Sequence, residues 1–176
     1  MSPARNPKFI VHFPPNRPTI TQPSVVLYGA IESSPTDNWA ISLTNSLSDL
    51  AVTVLNPRCD AWDSTWREDI NFAPFKEQVD WEIDQAAAVD VIVFYFKPGA
   101  LCPITLLELG MHGALYPKKC IVCCPEGFYK RGNVEIVCKR LGIPFLVENL
   151  SDLEEVVKDR MIQLLANVEI GEVKSQ

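Results

Sequence analysis

Two periods of hydrophobic patterning alternate along the chain, and each switch between them marks an element. Short apolar runs at 24–30, 51–55, 89–96, 119–124 and 144–147 read as strands buried on both faces. Between them, apolar residues recur every three to four positions. That spacing predicts helices over 38–50, 74–88, 103–115 and 133–141. A last helix opens at Ser151, where Glu154 three residues on completes a capping box. The punctuation fits: Asn56-Pro57 stops the second strand, Pro74 sits near a helix start, and Gly142 with Pro144 beyond stops the fourth helix. Residues 1–23 differ. They are proline-rich with Phe9, Val11 and Phe13 in alternation, and they read as a loosely held arm with one short edge strand.

Five strands alternating with five helices predict one α/β domain over 24–170. Its expected architecture is a flavodoxin-like, doubly wound, five-stranded parallel sheet with helices on both faces. Ligands of such sheets bind beyond the carboxyl ends of the strands. The loops of interest are therefore those after Gly29, Asn56 and Phe96.

Composition narrows the partners. The chain has 176 residues, 47% hydrophobic and 22% charged, with a net charge of −6. Its acidity argues against nucleic acid polymers and anionic membranes, since both need a basic face. No signal peptide or apolar run of about 20 residues is present, so a cytoplasmic protein is expected. Six cysteines then read as reduced thiols. Cys120, Cys123 and Cys124 fall in a strand-like run, and the only histidines, His12 and His112, give no second ligand pair. No metal is expected.

Two carboxylates stand out. On a helical wheel, Ile104, Leu107, Glu108, Met111 and Leu115 share a face, expected to pack on the sheet. Glu108 would then sit in an apolar stripe, where an unpaired carboxylate is costly, unless it pairs with His112 at i+4 or reaches the rim. Likewise Phe75, Val79, Ile83 and Ala86 surround Glu82, while Asp80 and Asp84 point outward. For Glu82 the plainer alternative is a salt bridge at the sheet edge. Paired acids with separated pKa values suit cleavage of a glycosidic bond.

The loop Asn56-Pro57-Arg58-Cys59-Asp60-Ala61-Trp62-Asp63-Ser64-Thr65-Trp66 interleaves tryptophans with polar groups. Trp62 or Trp66 is suited to stack on a flat heteroaromatic ligand, with Asp60 or Asp63 accepting from ring N–H groups. The alternative is a loop that tucks its own aromatics inward. The stretch with Tyr129, Lys130 and Arg131 reads as a surface loop capped by Asn133.

The run Val26-Leu27-Tyr28-Gly29-Ala30, then Asn56-Pro57-Arg58, then Gln78, Trp81 and Glu82, then Leu106-Leu107-Glu108-Leu109-Gly110 resembles the nucleoside 2-deoxyribosyltransferase family, in particular its deoxyribosyltransferase-like branch. The likeness spans roughly residues 25–147. It implies a retaining N-glycosidic cleavage in which Glu108 matches the family's nucleophile and forms a covalent glycosyl-enzyme. Glu82 falls where the family's transferases carry a supporting Asp. A second family Asp has no match, since that loop reads Lys97-Pro98-Gly99-Ala100-Leu101-Cys102. Asp90, at the start of its strand, is structural in this reading. Tyr28, Gly29, Ala30, Asn56, Arg58, Asp60, Trp62 and Trp81 are the expected substrate-binding residues.

A phosphate pocket would fall in Ile31–Asp37, where Ser33 and Ser34 suit a phosphate but Glu32 and Asp37 repel one. An uncharged nucleoside or similar N-glycoside is therefore the expected ligand. A nucleotide N-glycoside hydrolase and a binding module without turnover are the alternatives. No loop offers the Ser/Thr-rich nest of a flavin phosphate, so no cofactor is expected. A homodimer or higher homo-oligomer is the expected assembly.

Overall fold

The structure of the protein, a computed structural model, describes residues 5–30, 38–146 and 148–174. Six parallel strands form one sheet: β1 (Ile10–His12), β2 (Ser24–Gly29), β3 (Thr53–Leu55), β4 (Val91–Tyr95), β5 (Cys120–Cys123) and β6 (Phe145–Leu146). Their order is β1-β3-β2-β4-β5-β6. Without β1, the remaining five follow the flavodoxin-like order.

The expected five-stranded sheet is thus corrected to six: the short edge strand expected in the arm forms, and its pairing holds the arm on the sheet rather than loosely. Pro14 and Pro15 come only after β1, so its backbone is free to pair. Ile10, Val11 and His12 lie in register with Thr53, Val54 and Leu55. Phe9 is buried beneath this edge.

Alternation along the strands divides the core in two. Val26 and Tyr28 of β2, with Ile92 and Phe94 of β4, face α2 (Ala73–Ala88), α3 (Pro103–Leu115) and α4 (Arg131–Leu141). Val25, Leu27, Val91 and Val93 face α1 (Trp39–Ser46) and α5 (Leu150–Lys174). Cys123 and Cys124 fall in opposite layers, as neighbouring strand residues must.

Three helix ends differ from the pattern. α1 stops at Ser46 rather than residue 50, where Ser46 and Ser48 bond back to the carbonyls of Leu43 and Asn45. α5 begins at Leu150, capped by Asn149 Oδ1 accepting from the Asp152 N–H at 3.1 Å, so the Ser151 box is not the cap. α4 begins at Arg131, which puts Asn133 inside its first turn.

Candidate active site

Glu108 lies in the second turn of α3, just beyond the carboxyl end of β4. The face turned to the sheet is Thr105, Glu108, Leu109 and His112. The expected packing face is therefore wrong by part of a turn. Ile104, Leu107 and Leu115 are 58%, 68% and 62% exposed, while Glu108 is only 8% exposed. The reason lies in what fills the inner side. Glycine at 113 allows close approach, with Ile143 and Leu141 only 3.1 and 3.3 Å from where a Cβ would stand. Tyr28 stacks on the His112 ring with centroids 5.6 Å apart. Among the described residues the Glu108 carboxyl has no hydrogen-bond partner. The His112 ring nitrogens also lack one, so the i+4 pair is not formed. Burial, then the charge of Glu82, pushes Glu108 up to about 9.

Glu82 belongs to α2, whose buried residues are Gln78, Trp81, Gln85 and Ala86. Ile83, expected on the inner face, is exposed. Burial raises the Glu82 carboxyl to about 7, opposed by the hydrogen bond it accepts from Gln78. Gln78 Nε2 donates to Glu82 Oε1 at 2.8 Å and to the Pro57 carbonyl, also at 2.8 Å. The Tyr28 hydroxyl donates to the Glu82 backbone carbonyl, and its own pKa is raised by burial and by the charges of Glu108 and Glu82. The fold thus brings Glu108, Glu82 and Tyr28 into one electrostatic neighbourhood. Trp81, fully buried, donates Nε1–H to the Asn16 carbonyl at 2.7 Å and serves as a support beneath Glu82. Asp80 and Asp84 pair outward with Lys76 and Arg17. Asp90 accepts the N–H and hydroxyl of Ser24 at 2.9 and 2.8 Å, tying the starts of β2 and β4 together.

The remaining expected ligand residues gather elsewhere. Gly29 has a packing reason to be glycine: a Cβ there would stand 2.6 Å from both the Trp39 ring and the Tyr95 carbonyl. Trp39 Nε1 donates to the Ala30 carbonyl at 2.9 Å. Gly29, Ala30, Asn56 and Arg58 line a small cavity of about 30 Å³ beside the start of α1. Asn56, Arg58 and Asp60 also line a larger one of about 330 Å³ with Val11, Phe13 and Ile41. Arg58 pairs with Asp60 at 3.1 Å, and Asn56 Oδ1 accepts from the Arg58 N–H. Trp62 packs on Trp66 and edge-on to Phe75 at the first turn of α2, and it remains half exposed. Asp63 caps its own turn by accepting from Thr65 N. In the loop before α4, Phe128 is buried against Phe96 while Tyr129 is exposed. The expected phosphate segment, Ile31–Asp37, lies outside the described residues.

Sequence reasoning gave too little weight to Gln78 and His112. Both stand at helical spacing from a carboxylate of the site, Gln78 at i−4 from the half-buried Glu82 and His112 at i+4 from the buried Glu108. That spacing was the available signal. Cys102 precedes α3 in the left-handed conformation at φ 46°, an unusual setting for a residue with a Cβ. Cys120, Cys123 and Cys124 are buried free thiols, pushed up to about 12, 12 and 11, foremost by burial. Among the described residues no group of side chains could hold a metal ion.

A family model described as nucleoside 2-deoxyribosyltransferase like matches residues 22–128, more than half of the chain. The chain belongs to the nucleoside 2-deoxyribosyltransferase-like family. No curated protein matches it significantly. Among the described residues, no helix is long and apolar enough to cross a membrane.

Proposed function

We propose that the protein cleaves, or transfers at, the N-glycosidic bond of a deoxynucleoside or related N-glycoside. The observation that carries this reading is the half-buried Glu82 in the electrostatic neighbourhood of the buried Glu108: burial raises both carboxyls, and the charge of Glu82 raises Glu108 further.

In the reactive state the one proton kept by the pair sits on Glu82, the minor arrangement, since Glu108 at about 9 holds a proton more tightly than Glu82 at about 7. Ionised Glu108 attacks the anomeric carbon as the C–N bond breaks, and the departing base nitrogen takes its proton from Glu82. The product is a glycosyl ester on Glu108. Water or a second base then attacks the same carbon. Glu82 receives the proton, and the Glu108 carboxylate leaves with net retention. In this scheme Glu82 supplies the acid absent from the loop at 97–102. Trp62 offers a flat surface for the base, and Tyr28, Gly29, Ala30, Asn56, Arg58 and Asp60 frame the strand ends.

The outer side of α3 supports a homo-oligomer. Glu108 and His112, its only ionisable side chains, both turn inward. Its outer surface is left uncharged and apolar, with Ile104, Leu107 and Leu115 exposed. A cytoplasmic location fits the reduced thiols.

The test is incubation with a panel of nucleosides and nucleotides, with free base read by chromatography. Release of base supports the enzyme. Binding without release from any substrate supports the second reading, a nucleoside-binding module, which the carboxylate-free loop at 97–102 favours. Release from monophosphates alone would make the protein a nucleotide N-glycoside hydrolase.

A further inference from the structure

The family match begins at residue 22, so the segment before it lies outside the shared domain. That segment touches both elements that carry the candidate site. The His12 carbonyl accepts the Asn56 N–H at 3.0 Å, at the root of the 56–60 loop. The Asn16 carbonyl accepts Trp81 Nε1–H at 2.7 Å, one residue before Glu82. Arg17 lies across the outer side of α2. Its Nε and Nη2 donate to Glu77 Oε1 at 3.1 and 3.0 Å, and its Nη1 donates to Asp84 Oδ2 at 2.5 Å. Glu77 and Asp84 are two helical turns apart, and Glu82 lies between them.

Besides the arm, α2 is held by the Tyr28 hydroxyl on the Glu82 carbonyl, by Lys119 Nζ donating to the Ala87 carbonyl at 2.8 Å, and by its buried side chains. Of its four buried residues, two are the amides Gln78 and Gln85, and only Trp81 and Ala86 are apolar. A helix with so small an apolar contact depends on its hydrogen bonds for its exact seat. An isolated surface ion pair is worth little, but one guanidinium holding two carboxylates beside a buried indole bond forms a network. Gln78 closes the circuit by tying Glu82 to the Pro57 carbonyl, in the loop whose root His12 holds.

We propose that Asn16 and Arg17 are positioning residues for Glu82: the N-terminal arm braces α2 against the 56–60 loop and so sets the Glu82 carboxyl relative to Glu108. The proposal rests on the carboxylate-pair reading above. The energetic contribution of Arg17 is that of a small network, so its loss loosens α2 locally and leaves the chain folded.

The test is hydrogen exchange on the full-length protein, with Arg17→Ala, Arg17→Lys and Trp81→Phe, and with the Glu82 carboxyl followed by NMR titration. Arg17→Ala is expected to raise opening of 73–88 roughly five-fold, the factor for about 1 kcal/mol, with 103–115 and 131–141 unchanged. The Glu82 midpoint should fall toward its ordinary value as water reaches it. Arg17→Lys should restore part of the protection. Trp81→Phe should loosen the same segment from the other side. On any N-glycoside that wild type cleaves, kcat should fall with KM nearly constant. The proposal is overturned if 73–88 exchanges at the wild-type rate in both Arg17→Ala and Trp81→Phe, or if all helices loosen together. A wild type that cleaves nothing, with α2 loosened and the Glu82 midpoint shifted, overturns the catalytic reading and leaves the brace standing.

Discussion

The Tyr28 hydroxyl donates to the backbone carbonyl of Glu82, joining the end of the second strand to the middle of α2. The same ring stacks on His112, one turn beyond Glu108 on α3. One buried tyrosine therefore touches both helices that carry the acids. Removing its hydroxyl takes away a second donor from a carbonyl that lies within the helical ladder of α2, and with it the tie between strand and helix. Tyr28→Phe is expected to cost on the order of 1–2 kcal/mol in urea unfolding and to lower kcat. An unchanged unfolding midpoint would show that the bond contributes nothing.

The acid pair sets the pH dependence. With Glu82 raised to about 7 and Glu108 to about 9, the singly protonated pair is most abundant between those values. Below the lower limb both acids are neutral and no nucleophile exists. Above the upper limb both are ionised and no acid remains. A bell-shaped profile of kcat/KM with its maximum near pH 8 is expected. Activity that rises steadily from pH 5 to pH 4 contradicts it.

Stability should move the opposite way from that of a salt-bridged acid. Glu108 is raised from 4.5 to about 9, so the folded state holds its proton more tightly than the unfolded chain. Its contribution is fully present below pH 4.5 and is lost as pH rises through 4.5 toward 9. Glu82 does the same over the narrower span from 4.5 to about 7. Glu108→Gln removes this loss and should stabilise the fold at pH 7 by on the order of 1–3 kcal/mol. Thermal unfolding of the two proteins from pH 5 to pH 9 should show the gap widening with pH, and a constant or shrinking gap would refute it.

Gly29 gives a purely steric prediction. Alanine there would place a methyl group 2.6 Å from the Tyr95 carbonyl and the Trp39 ring. Backbone cannot yield as a flexible side chain can, so Gly29→Ala should destabilise by about 1–3 kcal/mol. Thermal melting would reveal the loss, and a wild-type midpoint would show that the strand end can relax.

Most of the sheet could be read from the chain because its strands are buried on both faces and appear as unbroken apolar runs. The edge strand of the arm was legible from the alternation of Phe9, Val11 and Phe13, but not its place in the sheet: Ile10–His12 lies in the proline-free stretch between Pro7 and Pro14 and pairs freely with the third strand. The inner face of α3 was misjudged for a different reason. Hydrophobicity marks Ile104, Leu107 and Leu115, yet the side turned to the sheet carries Thr105, Glu108 and His112. A helix apolar nearly all round has no periodicity strong enough to fix its rotation. Glu108 could still be singled out, because any inward rotation that buries Leu109 brings Glu108 with it. Asn56, Arg58 and Asp60 were legible as a polar cluster beyond a strand, but not which cavity they would line. Local hydrogen bonds within the loop decide that, and they leave no period in the sequence.

The central claim is that Glu108 becomes covalently bound to the sugar. The most direct measurement is peptide mass spectrometry after incubation with a slow 2-fluoro N-glycoside analogue. The account predicts a single glycosyl adduct on the peptide containing Glu108, absent from Glu108→Gln although that variant remains folded. An adduct on another residue, or an equal adduct in Glu108→Gln, would contradict it.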